Sequence, residues 1–258
     1  MRRNTAPAIC LTALKLLKEH GDGVMHVMPA DHLISPKKNF IAALRFGGKL
    51  AQSGYLVTYG IVPTRPETGY GYVKLGKQII SNSNIAAFKG AGFTEKPSLA
   101  KAKKYQRSRR CLWNSGIFSM GIKTILSEMK KHIPRVYEGA EEFSRTGKQI
   151  YFKRIPDISI DYGVMEKSKK LCVVRANFLW DDVGSWLALE RFFKPDRNGN
   201  IMLGNTKGLE ISDTIVYTSD NIPLRVYDVK GLIIVACSKG ILVCSKKRAA
   251  ALKKLFKK

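Results

Sequence analysis

Leu179-Trp180-Asp181-Asp182-Val183-Gly184-Ser185-Trp186 is the stretch whose reading decides the fold. An apolar strand end runs into two adjacent carboxylates, a glycine turn, a hydroxyl and a second tryptophan. Open α/β sheets bind their ligands outside the carboxyl ends of strands, so acids placed there face a ligand cleft. A second acid holds a matching place in Val27-Met28-Pro29-Ala30-Asp31-His32, where Asp31 follows another apolar run. If both strands belong to one sheet, Asp31 and Asp182 face each other across one cleft. Such a pair suits Mg2+, a hard cation that prefers oxygen ligands and keeps water and phosphate partners. The competing reading is that each aspartate caps the helix after it. Spacing alone leaves both open.

Composition narrows the class. At 258 residues and 45% hydrophobic content the chain can bury a full core, as one large domain or two smaller ones. It contains no apolar run long enough to span a bilayer, and Asn4-Thr5-Ala6-Pro7 interrupts the basic start where a signal peptide needs an apolar core. Five cysteines without a C-x-x-C pair fit a reducing cytoplasm better than a disulfide framework. Four scattered histidines offer no zinc spacing. The net charge of +25 invites a nucleic-acid reading, but the cations spread along the chain without a zinc-finger, RRM or KH signature. They read as solvated helix faces, and neither a nucleic-acid nor a membrane partner is expected.

Outward from the central acids, the chain alternates helical and strand patterns. Residues 4–19 carry a polar cap, an early proline and apolar residues at helical spacing, then a short strand over 24–28 delivers Asp31. A helix is expected over 36–52 and strands over 55–62, 86–93, 111–118 and 171–176. Between them lies Pro63-Thr64-Arg65-Pro66-Glu67-Thr68-Gly69-Tyr70-Gly71-Tyr72, where the glycines let backbone approach a ligand closely; a plain hairpin explains it equally well. Glu95 and Lys96 point to opposite sides of the chain unless the strand ends there. Asn114 sits inside an apolar run and must be hydrogen-bonded, to a backbone carbonyl in the commoner case or to a ligand hydroxyl. Asp161 and Glu166 flank a turn into a helix, and a further helix is expected over 186–193. Beyond a linker at 195–200 the pattern becomes short strands between Gly, Asn and Asp turns, ending in a basic helix over 246–258. The expected domains are 1–195 and 196–258.

With these residues placed, the chain resembles the mannose-1-phosphate guanylyltransferase family of sugar-nucleotide pyrophosphorylases. The stretches that carry the resemblance are NTAPAI (4–9), MPADHLI (28–34), ETGYGYVKLG (67–76), FTEKP (93–97), WNSGIF (113–118), SIDYGVMEK (159–167) and WDDVGSW (180–186). It implies an α/β fold, a Rossmann-like, GT-A-like nucleotidyltransferase domain with a mixed sheet, followed by a small β-helix-like domain. It further implies that Asp31 and Asp182 hold Mg2+ and are the catalytic acids. Asn4 and Thr5 contact the guanine nucleotide, Gly71, Glu95 and Asn114 contact mannose, Lys96 contacts the sugar phosphate, and Asp161 and Glu166 line the same pocket or support it. The implied substrates are GTP and mannose-1-phosphate, with a homodimer formed through the tail.

The family's glycine-rich, arginine-containing phosphate loop has no counterpart before Asn4. The expectation is a relative truncated at its start and inactive alone, unless a separate chain supplies the loop. Alternatives are a non-catalytic subunit that binds sugar phosphate, and a nucleotidyltransferase for another sugar or base.

Overall fold

The computed structural model describes residues 3–81, 85–219 and 221–256. The chain divides into two compact units, Met1–Asp181 and Asp182–Lys258. This division falls earlier than the expected 195/196 boundary. The reason lies in the 3-10 turn Trp186–Arg191, whose Trp186, Leu187 and Leu189 pack with Ile201, Ile215 and Ile233 of the following strands.

The first unit runs α1 Thr5–His20, β1 Val24–Val27, β2 Leu33–Ser35, α2 Lys37–Gln52, β3 Leu56–Ile61, β4 Tyr72–Ser81 and β5 Ala86–Thr94. It continues with α3 Leu99–Ser108, β6 Cys111–Gly121, α4 Ile122–His132, α5 Pro134–Thr146 and α6 Gln149–Arg154. A π turn at Asp161–Met165, β7 Leu171–Arg175 and β8 Leu179–Asp181 complete it. Six strands form one mixed sheet in the order β1-β6-β3-β7-β5-β4, with β3 and β7 parallel and the other pairs antiparallel.

Strand alternation explains the layers. Leu56, Leu171 and Val173 face a core built with Ile9 and Ala13 of α1, Ile125 and Met129 of α4 and Val136 of α5. Val57, Tyr59, Cys172 and Val174 face the opposite side, against Ala43 and Ala51 of α2. The central strands are therefore covered on both faces, and their continuous apolar runs follow from that. Each central aliphatic side chain so buried contributes roughly 1.5–3 kcal/mol.

The acids at 31 and 182 do not follow strands of one sheet, as the conditional reading required. β1 joins the main sheet, whereas β8 pairs with β2 in a separate antiparallel ladder, with Leu33 opposite Asp181 and Ser35 opposite Leu179. β2 lies after Asp31, in a segment too short to show periodicity.

In the second unit, β9 Ile201–Leu203, β10 Thr206–Ser212, β11 Ile215–Thr218, β12 Leu224–Lys230, β13 Leu232–Cys237 and β14 Gly240–Ser245 precede 3-10 turns over Lys246–Phe256. Residues 257–258 of the expected terminal helix lie outside the described residues. β9, β11 and β13 are parallel and in register, so Ile201, Ile215 and Ile233 form one row. β10 and β12 are parallel as well, while β14 closes the four-stranded sheet antiparallel to β13. All five cysteines are free thiols. No helix among the described residues is long and apolar enough to cross a membrane.

Candidate functional site

Four separate segments deliver the polar residues of the first unit to one place. The loop before β4 brings Gly71, the end of β5 brings Glu95 and Lys96, the middle of β6 brings Asn114, and the π turn brings Asp161 and Glu166. The Asn114 backbone N–H donates to the Gly71 carbonyl at 2.8 Å, which ties the loop to β6. Gly71 has no room for a side chain: a Cβ there would lie 2.5 Å from Glu95 Oε2 and 3.1 Å from Phe93 Cζ. The Glu95 backbone N–H donates to Glu166 Oε1 at 2.9 Å, joining β5 to the π turn.

β5 ends at Thr94, and Lys96 adopts a left-handed φ of 45°. Strand alternation therefore stops, and Lys96 Nζ reaches back to Glu95 Oε1 at 2.7 Å. That hydrogen bond holds the ammonium above its ordinary pKa, against the opposing effect of burial.

The protein partners of Asn114 are side chains rather than the backbone carbonyl that was the commoner expectation. Its Nδ2 donates to Asp161 Oδ1 at 3.0 Å, and its Oδ1 accepts from Thr58 Oγ1 at 2.6 Å. Asp161 is pushed from an ordinary 3.8 up to about 6, first by burial and then by the Glu95 carboxylate, with Lys96 and Asn114 pulling the other way. The π turn that aims it closes through a Glu166 N–H donated to the Asp161 carbonyl at 3.0 Å.

Asn4 and Thr5 stand beside this turn. Asn4 adopts φ 64° and caps α1, its side-chain oxygen accepting the Thr5 N–H at 2.9 Å. Thr5 Oγ1 accepts the Ile160 N–H at 2.9 Å, so the start of α1 is clamped to the residue preceding Asp161.

Neither aspartate of the expected metal pair caps a helix. Pro36 occupies the cap position of α2, and Asp31, earlier in the chain, is exposed. Asp182 is half-buried and its Oδ1 accepts the Gly184 N–H at 3.3 Å, an aspartate turn rather than a cap. Its neighbour Asp181 is buried in the ladder with β2. Among the described residues no three His, Cys, Asp or Glu side chains cluster as a metal centre would require.

An aromatic row lies alongside. The Arg65 guanidinium sits 5.1 Å from the Trp113 ring centroid and bonds Glu67 at 3.1 Å. Tyr70 contacts both Trp113 and Trp180 edge-on, and the Trp180 indole N–H donates to His32 Nδ1 at 3.0 Å. Thr58 and Arg65 were given no individual role from sequence, whereas the tyrosines of the Pro63–Tyr72 loop were expected to cover an apolar face. For Thr58 the available signal was a hydroxyl within the otherwise apolar run of β3.

Carboxylates over an amide floor can accept hydrogen bonds from several hydroxyls, and a lysine at the rim can meet an anion. The chain is 37% identical over 99% of its length to mannose-1-phosphate guanylyltransferase of Salmonella montevideo, covering 56% of that protein. It is 36% identical over 98% of its length to mannose-1-phosphate guanylyltransferase of Klebsiella pneumoniae, covering 55% of it. It thus spans about half the length of the curated relatives it matches. A crystal structure of a protein named mannose-1-phosphate geranyltransferase, from Thermus thermophilus, aligns with TM-score 0.84 and 34% identity, covering all of this chain and 76% of that one. The fold is the mixed α/β nucleotidyltransferase fold, and the model of the nucleotidyl transferase family matches residues 1–198: the chain belongs to that family.

Proposed function

We propose that this protein transfers GMP from GTP to mannose-1-phosphate, giving GDP-mannose and pyrophosphate. The observation that carries the reading is the linkage of Gly71, Glu95, Lys96, Asn114, Asp161 and Glu166 into one site by hydrogen bonds and close approach. The names of the relatives, mannose-1-phosphate guanylyltransferase, support the same substrate pair. In this reading Glu95 and Asn114 orient the mannose hydroxyls, Lys96 meets the sugar phosphate, and Asn4 and Thr5 lie on the guanine-nucleotide side. An oxygen of the sugar phosphate attacks the α-phosphorus of GTP, forming a new P–O bond as the bond to the pyrophosphate oxygen breaks. Alignment and charge neutralisation do this work without a covalent nucleophile.

The donor chemistry of Asp31 and Asp182 fits Mg2+, since two carboxylates leave the remaining positions to water and phosphate oxygens. These two residues would hold the ion, which supplies charge neutralisation on the phosphates when bound. The second unit is read as a short solenoid that dimerises. The in-register row Ile201, Ile215, Ile233 supports the first point, and the register partners Leu209 and Tyr227, each 64% exposed, support the second.

The test is pyrophosphate release from GTP and mannose-1-phosphate with Mg2+. Asp182→Asn should abolish it, and Glu95→Gln should raise KM for mannose-1-phosphate. Wild-type protein that neither binds nor turns over mannose-1-phosphate would sink the reading, as would full activity in Asp182→Asn.

A further inference from the structure

Thr58 is the one polar side chain of β3 that is fully buried on the face of Asn114, and neither fold nor catalysis as described assigns it a task. It is 0% exposed, and its hydroxyl lies 2.6 Å from Asn114 Oδ1 and 3.2 Å from the Ile117 carbonyl. A hydroxyl has one proton. Given to Asn114 Oδ1, it makes that atom the acceptor and forces the opposite end of the amide to be the NH2 group. That group then meets Asp161 Oδ1 at 3.0 Å, where an amide oxygen would face a carboxylate oxygen. The amide has a second N–H, and no partner for it occurs among the described residues. Asn114 itself is 8% exposed, so this donor is largely shielded from bulk water.

The strand geometry fits such a role. The register between β3 and β6 shifts between Thr58 and Gly60, next to the pairing of Gly60 with Asn114. This irregularity offsets Thr58 from Asn114 so that the two side chains meet on one face. The Gly60 position is itself fixed by crowding, since a Cβ there would lie 2.6 Å from Leu112 Cδ1 and 2.7 Å from Val173 Cγ2.

We infer that Thr58 is a positioning residue that locks the Asn114 amide with its NH2 edge toward Asp161 and the ligand, making position 114 a hydrogen-bond donor to a sugar hydroxyl oxygen. The ligand half of this inference rests on the sugar-phosphate reading above; the amide lock does not. Thr58→Val keeps the shape of the side chain and removes the lock, leaving Asn114 Oδ1 without its donor. Thr58→Ser restores the hydroxyl.

Two measurements separate the halves. Side-chain 15N–1H2 resonances of Asn114, assigned by their loss in Asn114→Asp, report the amide in the ligand-free protein. A shifted or averaged pair in Thr58→Val that returns in Thr58→Ser supports the lock, and an unchanged pair in Thr58→Val overturns it. Equilibrium binding of mannose-1-phosphate should then weaken about tenfold in Thr58→Val, recover in Thr58→Ser, and show no further loss when Thr58→Val is added to Asn114→Ala. Losses that add in the double variant would overturn the ligand half. If Thr58→Val does not fold, Thr58→Ala takes its place in both measurements, with Thr58→Ser still the control and the same outcomes upholding or overturning the lock. Wild-type protein that fails to bind mannose-1-phosphate overturns the substrate reading while the resonance experiment still judges the lock.

Discussion

The consequences of burial are sharpest at Asp161. Its folded-state pKa of about 6 lies above the ordinary 3.8, so the native protein keeps a proton that the unfolded chain has already lost between these values. Stability from this group is full below about pH 4, falls as pH rises toward 6, and stays lost above it. Asp161→Asn should relieve that loss, gaining on the order of 1–3 kcal/mol relative to wild type at pH 7.5 compared with pH 4. Urea unfolding of both proteins at the two pH values checks it. A gap that does not change with pH would contradict the assignment. At Gly71 the constraint is space rather than charge. Because Phe93 is buried and cannot yield to a Cβ 3.1 Å from its ring, Gly71→Ala should displace the loop and Glu95 together. The expected result is a KM for mannose-1-phosphate raised about tenfold or more, with kcat changed less. Steady-state kinetics read this directly.

At the scale of elements, α4 shares a core with the π turn carrying Asp161 and bonds the segment that follows the turn. Glu128 of α4 is buried and accepts from Ser168 Oγ at 2.7 Å, with Lys170 Nζ and His132 Nε2 each 3.3 Å away. Burial alone would push its pKa up, but these hydrogen bonds and charges outweigh it and hold the carboxyl below its ordinary 4.5. The sign is opposite to that of Asp161. Stability from Glu128 is present above the ordinary value and lost as pH falls through the depressed one. Glu128→Gln should therefore cost about 1–3 kcal/mol at pH 7, and progressively less in acid below about pH 4. Thermal unfolding across pH 3–7 measures it, and an equal cost at both ends would refute the coupling. The same element scale shows where sequence patterns failed. Helix α1 and strands β3 and β7 were legible because their apolar spacing is long enough to state a period. The three-residue β2 was not, and with it went the separate ladder that β8 joins.

At the scale of the molecule, the two compact units have independent cores. The second is pinned by Lys246, a buried ammonium that bonds Glu190 at 2.6 Å and Asp213 as well. Burial pulls the pKa of Lys246 down, but the two carboxylates outweigh it and leave it raised. Lys246→Glu would set three acids together, and should destabilise the second unit by more than about 2 kcal/mol. Lys246→Met should cost less, since Glu190 and Asp213 are exposed enough to be rehydrated. Fluorescence of Trp186, which packs on this unit's core, follows its unfolding. Indistinguishable midpoints for the two variants would rule out the pinning role.

The sequence by itself determined the alternation of helices and strands, the change to short strands beyond residue 200, and the family to which the chain belongs. These are local quantities: a period, a turn residue, a run of motif residues in order. It also supplied the residues of the site one at a time, each with a structural explanation at least as good as a functional one. Only the tertiary structure decided that Gly71, Glu95, Asn114, Asp161 and Glu166 are one linked set, and that Thr58 stands beneath Asn114. Those contacts join residues distant in the chain through a strand irregularity, a left-handed residue at the end of β5 and a π turn. Each departs from regular geometry, and burial on the folded sheet, which no local pattern encodes, is what holds it in place.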